Sequence, residues 1–158
     1  NRLQHKGLTL VCVSAGLLRG YIHLAVIKLQ PSCVEISWIS SDFVQIPPML
    51  IQPFVENALL HGLLHKKGKK KLSISFEFDQ RLKCTIIDNG IGRIASNDIK
   101  NRQGQQHESF ALNAIKNRLK ILSTELKMDF NFTTTDLYKN GETAGTQIEI
   151  SVPFMNYF

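Results

Sequence analysis

The most regular stretch of the chain is residues 72–78, where Leu72, Ile74, Phe76 and Phe78 alternate strictly with polar residues and predict a half-buried strand. After a tight turn at Asp79-Gln80-Arg81, Leu82, Cys84 and Ile86 continue the alternation as a hairpin partner that ends at Asp88. Val34, Ile36 and Trp38 alternate as an earlier strand, and residues 130–135 and 146–153 as the last two, joined through Asn140-Gly141. Helical spacing appears three times. Leu17, Leu18, Tyr21, Ile22, Ala25 and Leu29 mark residues 14–29, closed by Pro31. Leu50, Phe54, Ala58 and Leu59 mark residues 46–62, where Pro47 and Pro48 can open a helix and Gly62 can stop it. Ala111, Leu112, Ile115, Leu119 and Leu122 mark residues 109–127, with Ser109 a candidate cap. Between Arg93 and Glu108 the pattern disappears into Asn, Gln, Lys and Arg. A polar loop of this length suggests a lid, with a plain insertion as the alternative.

Two of these elements carry polar groups that packing alone does not ask for. The apolar helix at 46–62 holds Gln52, Glu56, Asn57 and His61; Gln52 and Glu56 are four apart, as are Asn57 and His61, so they share one side of the cylinder. A solvated outer face would explain this, and so would a site. The strand ending at Asp88 runs into Asn89-Gly90-Ile91-Gly92, which by itself is a hairpin signal.

Taken in order, the Glu56-Asn57 helix, Asp88-Asn89-Gly90-Ile91-Gly92, and Gly145-Thr146 before a last strand resemble the ATP-binding fold shared by gyrase, heat-shock-90 chaperones, MutL and histidine kinases. Pro47-Pro48-Met49-Leu50-Ile51-Gln52-Pro53-Phe54-Val55-Glu56-Asn57-Ala58 leading to Asp88-Asn89-Gly90-Ile91-Gly92-Arg93 is similar to LytS-like sensor histidine kinases. The resemblance runs over roughly residues 17–154. It implies an α+β fold, a two-layer α/β sandwich whose mixed, mostly antiparallel sheet carries helices on one face. It also implies two parts: residues 1–30 as a linker helix from a dimerisation and phosphoacceptor region, and residues 31–158 as the ATP-binding domain.

The resemblance assigns roles residue by residue. Asn57 would hold a magnesium ion (Mg2+) against the phosphates of ATP, which suits an ion that keeps most of its waters and takes few protein ligands. Glu56, about 100° further round the helix, would face the acceptor histidine as the catalytic acid or base. Asp88 would accept a hydrogen bond from the adenine amine, since a carboxylate is acceptor-only. Gly90 and Gly92 would admit the base, Gly145 and Thr146 would pack behind it, and His61 would be a further residue binding the nucleotide. Ala111 and Leu112 stand in the segment that would meet the phosphates. Ala111 occupies a glycine position of the family, a departure that favours an alternative reading, a nucleotide-sensing domain that transfers nothing. Asn113 and Arg118 match the family's pattern without an assigned role.

The family's acceptor histidine lies in an Asn-Pro-His-Phe-like segment that these residues do not contain; His5 and His23 have other surroundings. The chain, which starts at Asn1, therefore reads as the catalytic portion of a longer kinase and is expected to bind Mg-ATP without labelling itself. The resemblance implies as partners the protein's own phosphoacceptor region and a response regulator. It implies a homodimer for the whole protein, with this portion itself monomeric, and a cytoplasmic domain of a protein anchored in the bacterial inner membrane.

Composition changes the picture little. The 158 residues, 43% hydrophobic and 20% charged, suit one globular domain. Of a net charge of +6, Lys66, Lys67, Lys69, Lys70 and Lys71 account for five. So local a basicity indicates a solvated loop and argues against a nucleic-acid face, which would interleave aromatics with dispersed Arg. Cys12, Cys33 and Cys84 lack metal-ligand spacing and read as reduced core thiols. His61 and His65 are four apart without a third ligand nearby, so a zinc site is not expected. No apolar run reaches the length of a membrane span.

Overall fold

The computed structural model describes residues 2–5, 8–11, 33–37, 50–78, 81–102, 108–127 and 129–153. The alternating segments form one five-stranded sheet, in the order β3 (Cys33–Ser37), β4 (Lys71–Phe78), β5 (Arg81–Asp88), β7 (Glu142–Pro153) and β6 (Asn131–Lys139). Among the described strands only β3 and β4 pair in parallel, and the first described helix lies between them in the chain. That helix, α1 (Gln52–Asn57), runs without a break into a π-helical segment (Ala58–Leu63). Helices α2 (Gly92–Arg102) and α3 (Glu108–Leu126) follow β5. The architecture is the expected α+β sandwich with a mixed, mostly antiparallel sheet.

The period-2 and helical patterns meet in one core. Leu72, Ile74 and Phe76 of β4, Leu82, Cys84 and Ile86 of β5, and Ile148, Ile150 and Val152 of β7 all point to the same side. There they pack with Leu50, Phe54, Val55, Ala58, Leu59 and Leu63 and with Ile115, Leu119 and Leu122 of α3. Phe54 meets Phe132 of β6 edge-to-face at 4.9 Å. The intervening sheet residues are more exposed, so the helices cover a single face. Burial pushes the Cys84 thiol up, as for an inert core cysteine; the side chains of Cys12 and Cys33 lie outside the described residues. No described helix is long and apolar enough to cross a membrane.

Four expectations need correction. Gly62 does not stop the first helix. It lies inside the π-helical segment, where the Leu64 N–H reaches back five residues to the Leu59 carbonyl (2.9 Å). The described helix begins at Gln52 with Pro53 in its first turn; Pro47 and Pro48 lie outside the described residues. The stretch expected as a patternless lid is helical as far as Arg102. Its pattern was hidden because α2 buries small groups, Gly92 and Ser96, and leaves Ile94 56% exposed; residues 103–107 lie outside the described set. The last two strands are longer than their apolar cores, because polar Asp136, Lys139, Glu142 and Thr143 continue the ladder to a turn at Asn140 (φ 54°) and Gly141 (φ 82°). Finally, the first residues of the expected linker helix are not helical: β1 (Arg2–His5) pairs antiparallel with β2 (Leu8–Val11). The linker helix expected at 14–29 lies outside the described residues, as does Trp38. Helix α3 starts at Glu108, which puts Ser109 inside its first turn, and Lys127 ends it at φ 51°.

Candidate functional site

β5 delivers Asp88 to the end of the sheet, in register with Thr146 of β7, which in turn faces Asp136 of β6. Asp88 is only 2% exposed, an unusual place for a carboxylate. Its Oδ1 accepts a hydrogen bond from the Gly90 N–H at 2.8 Å, and the Thr146 N–H also bonds to it. Burial pushes its carboxyl up to about 6, against the two N–H bonds and the positive charge of Lys66, which pull the other way. The geometry and this perturbation together mark a site candidate.

Three glycines pack around the Asp88 turn at places where nothing larger fits. A Cβ on Gly62 would sit 2.7 Å from Asp88 Oδ1, and one on Gly90 would sit 2.4 Å from the Gly62 carbonyl carbon. A Cβ on Gly145 would sit 2.0 Å from the Asp88 carbonyl oxygen. The turn after Asp88 is fastened on both sides. The Ile91 N–H donates to the Gly62 carbonyl (3.2 Å), and Thr143 Oγ1 donates to the Ile91 carbonyl (2.9 Å). Gly92, at φ 77°, packs its Cα beside Thr143. Arg93 then binds both carboxylate oxygens of Asp136 at 2.7 Å, holding that carboxyl below its usual range.

Asn89 ties the lysine-rich loop to this turn. Its Oδ1 accepts from the Lys71 N–H (2.7 Å), its Nδ2 donates to the Lys69 carbonyl (3.2 Å), and its own N–H donates to the Lys71 carbonyl (3.1 Å). Lys70 Nζ donates to the Leu64 carbonyl at the helix end. Asn89→Ala removes both side-chain bonds and is expected to cost ~1–2 kcal/mol, since the site is partly wet; urea unfolding checks this.

The buried carboxyl also sets a pH dependence. A folded-state value of about 6, above the ordinary 3.8, means that folding favours the protonated form. The resulting stability is fully present below about pH 4 and is lost as the pH rises through about 6, an effect on the order of 3 kcal/mol. Asp136, whose carboxyl is held down, acts with the opposite sign at lower pH, weakly because its partner Arg93 is 41% exposed. The stability of the wild type relative to Asp88→Asn should therefore fall between pH 4 and pH 8; a difference that does not change would contradict the burial.

Of the residues singled out in the sequence, the structure gathers Asp88, Gly90, Gly145 and Thr146 at one point, with Gly92 next to them across Thr143. Glu56, Asn57 and His61 are half-buried on the helix that passes Asp88 at Gly62. Asn57 precedes that contact by five residues, roughly 6–8 Å along the axis. Gln52 Nε2 donates to Glu56 Oε1 at 3.0 Å, as their spacing predicts. Ala111 and Leu112 fall in the first turn of α3, and their side chains lie outside the described residues. Sequence reasoning missed Gly62, read as a helix stop, and the clamps Asn89 and Thr143; only the closeness of Gly62 to the polar stripe could have flagged it.

An acceptor-only carboxylate beside backbone kept free of side chains fits the amine edge of an adenine. For a magnesium ion, the chain offers the Asn57 amide further up the same helix. Among the described residues no three His, Cys, Asp or Glu side chains converge as a metal site, which is compatible with an ion held mainly by phosphates.

No family model matches the chain. An uncharacterized protein of Bacillus subtilis, YwpD, is 32% identical over 116 residues, covering 69% of this chain and 41% of that protein. The sensor histidine kinase YpdA of Escherichia coli is 46% identical over 48 residues, 30% of this chain and 8% of that protein. The chain thus spans less than half the length of either relative. Among solved structures, the histidine kinase domain of a blue-light-activated kinase from Erythrobacter litoralis superposes with a TM-score of 0.58 at 15% identity, covering 87% of this chain and 59% of that one. The catalytic domain of histidine kinase ThkA also gives 0.58, at 12% identity, covering 92% and 97%. Full-length ShkA in complex with AMPPNP gives 0.57 at 17% identity, covering 95% and 32%. At these identities the likeness is one of fold, and the fold is that of histidine kinase ATP-binding domains.

Proposed function

We propose that this chain is the ATP-binding catalytic domain of a LytS-like two-component sensor histidine kinase, which passes the γ-phosphoryl group of Mg-ATP to a histidine outside residues 1–158. The observation that carries the reading is the buried Asp88 carboxylate against Gly62, in a turn that Gly90 and Gly145 pack closely. Phosphoryl transfer asks a protein for positioning and charge neutralisation more than for covalent work. Asp88 fixes the base by accepting from its exocyclic amine. The π-helical segment leads from that point back to the end of α1: Asn57 would hold the magnesium ion, which neutralises charge on the phosphates when bound, and His61 stands between Asn57 and Gly62 on the same helix. Glu56 orients or accepts the proton of the incoming histidine. The N–H groups of the first turn of α3, around Ala111 and Leu112, suit phosphate oxygens. In this reading the whole protein dimerises through its phosphoacceptor region, hands the phosphoryl group to a response regulator, and is anchored in the inner membrane with this domain in the cytoplasm.

The carboxyl of Asp88 accepts from an amine best when ionised. With a carboxyl near 6, a drop from pH 8 to pH 5 weakens adenine-nucleotide binding by about tenfold, and Asp88→Asn loses that part of the dependence; titration at several pH values checks it. The reading itself is tested with labelled ATP and magnesium. Residues 1–158 take up no acid-labile label, and the chain extended through its phosphoacceptor segment does. Strong label on 1–158 alone contradicts the reading. Nucleotide binding with no label on the extended chain favours the nucleotide-sensing alternative that Ala111 suggests.

A further inference from the structure

A groove of about 690 Å³ lies between α3 and β6, floored by Leu119, Phe130 and Phe132 and edged by Lys116 and Lys120, with Arg93 at one end. It does not include Asp88 or the α1 helix. Among the described residues that line the groove there is no Asp or Glu. The nearby carboxylate of Asp136 is already bound at both oxygens by Arg93, so that pair cancels. Lys116 and Lys120, both exposed and one helical turn apart, remain uncompensated: among the described residues neither ammonium has an ion-pair partner. Two like charges at this spacing mildly destabilise a helix, so they need a reason.

The second observation lies on β6 itself. β6 pairs with β7 on one side, and among the described residues no strand pairs with the other. Its ladder is regular until the irregularity at Leu137/Tyr138. Residues 131–135 carry no charged residue and no Pro, two of the devices that blunt an open edge, and Asp136 with the irregularity beyond it bounds the open stretch on that side. An open edge offers main-chain hydrogen bonds, and alternate side chains of an added strand would pass under the flank of α3.

From the open edge and the uncompensated lysines together, we infer that β6 and the Lys116–Lys120 flank of α3 form a docking strip for an extended, acidic peptide segment of a partner protein. Main-chain pairing supplies the register, and the lysines select acidic side chains at every second position.

The probe is a fluorescein-labelled nonapeptide alternating Glu with Val, its Lys–Val counterpart serving as control. Anisotropy is expected to show binding of the acidic peptide only. The double substitution Lys116→Glu/Lys120→Glu weakens it by about tenfold or more. In the wild type, the acidic peptide slows hydrogen exchange at alternate amides of residues 131–137. Equal binding of both peptides, unchanged exchange in β6, or full binding by the double variant (which would move the contact to the loop at 66–71) overturns the inference. A single-stranded oligonucleotide that protects the same amides more strongly overturns it too, in favour of a general polyanion groove.

Discussion

Asp88→Asn is expected to weaken binding of AMPPNP with magnesium roughly ten- to a hundredfold in titration calorimetry, the span that follows from a charge-assisted hydrogen bond of about 1.5–3 kcal/mol. The direction comes from the atoms that hold the side chain. Gly90 donates to one oxygen of Asp88 at 2.8 Å, and Thr146 also donates to the carboxylate. An asparagine in that place has one acceptor oxygen, which the Gly90 N–H claims. Its amide N–H then faces the ligand, setting donor against donor at the adenine amine. The same change favours a carbonyl at that position, so discrimination against GTP should fall as well. Unaltered affinity for the adenine nucleotide would remove Asp88 from the site.

Gly145→Ala is expected to destabilise the fold by ~3–5 kcal/mol in urea unfolding, from backbone strain and forced repacking together. Gly145 sits at φ 132°, where side chains are strained. The new Cβ would lie 2.0 Å from the Asp88 carbonyl oxygen and 2.9 Å from the Asn89 Cα, backbone atoms that cannot swing aside. Gly68 and Gly141 are the contrast: both have positive φ, with nothing within 4 Å of an added Cβ. Alanine there carries only the conformational term, about 1 kcal/mol. A Gly145→Ala protein as stable as those variants would show that β7 does not press against the Asp88 turn as described.

Most of the sheet was legible in the sequence because alternation in β4 and β5 reports a face buried against helices, and Asp88 was legible as the residue where that alternation ends in a turn. The register that sets Asp88 beside Thr146 could not be read, since no local pattern specifies which strand lies next to β5. Helix α2 was invisible for a different reason: its buried side is made of Gly92 and Ser96, so its apolar signal is missing. Gly62 was misread through its ordinary meaning. Glycine after an apolar helical run usually marks an end, but here its missing side chain answers to Asp88, from a strand 26 residues later in the chain. The polar stripe of Gln52, Glu56, Asn57 and His61 was legible as a stripe, whereas the passage of its helix over Asp88 at Gly62 was not.

The central claim is that Asp88 and Asn57 serve two ends of one bound nucleotide, and a crystal structure of the chain with AMPPNP and magnesium tests it most directly. The account predicts the adenine amine within hydrogen-bonding distance of the Asp88 carboxylate, with the phosphates running along the π-helical segment toward Asn57. A nucleotide lodged elsewhere, with Asp88 still closed off and Asn57 facing solvent, would contradict it.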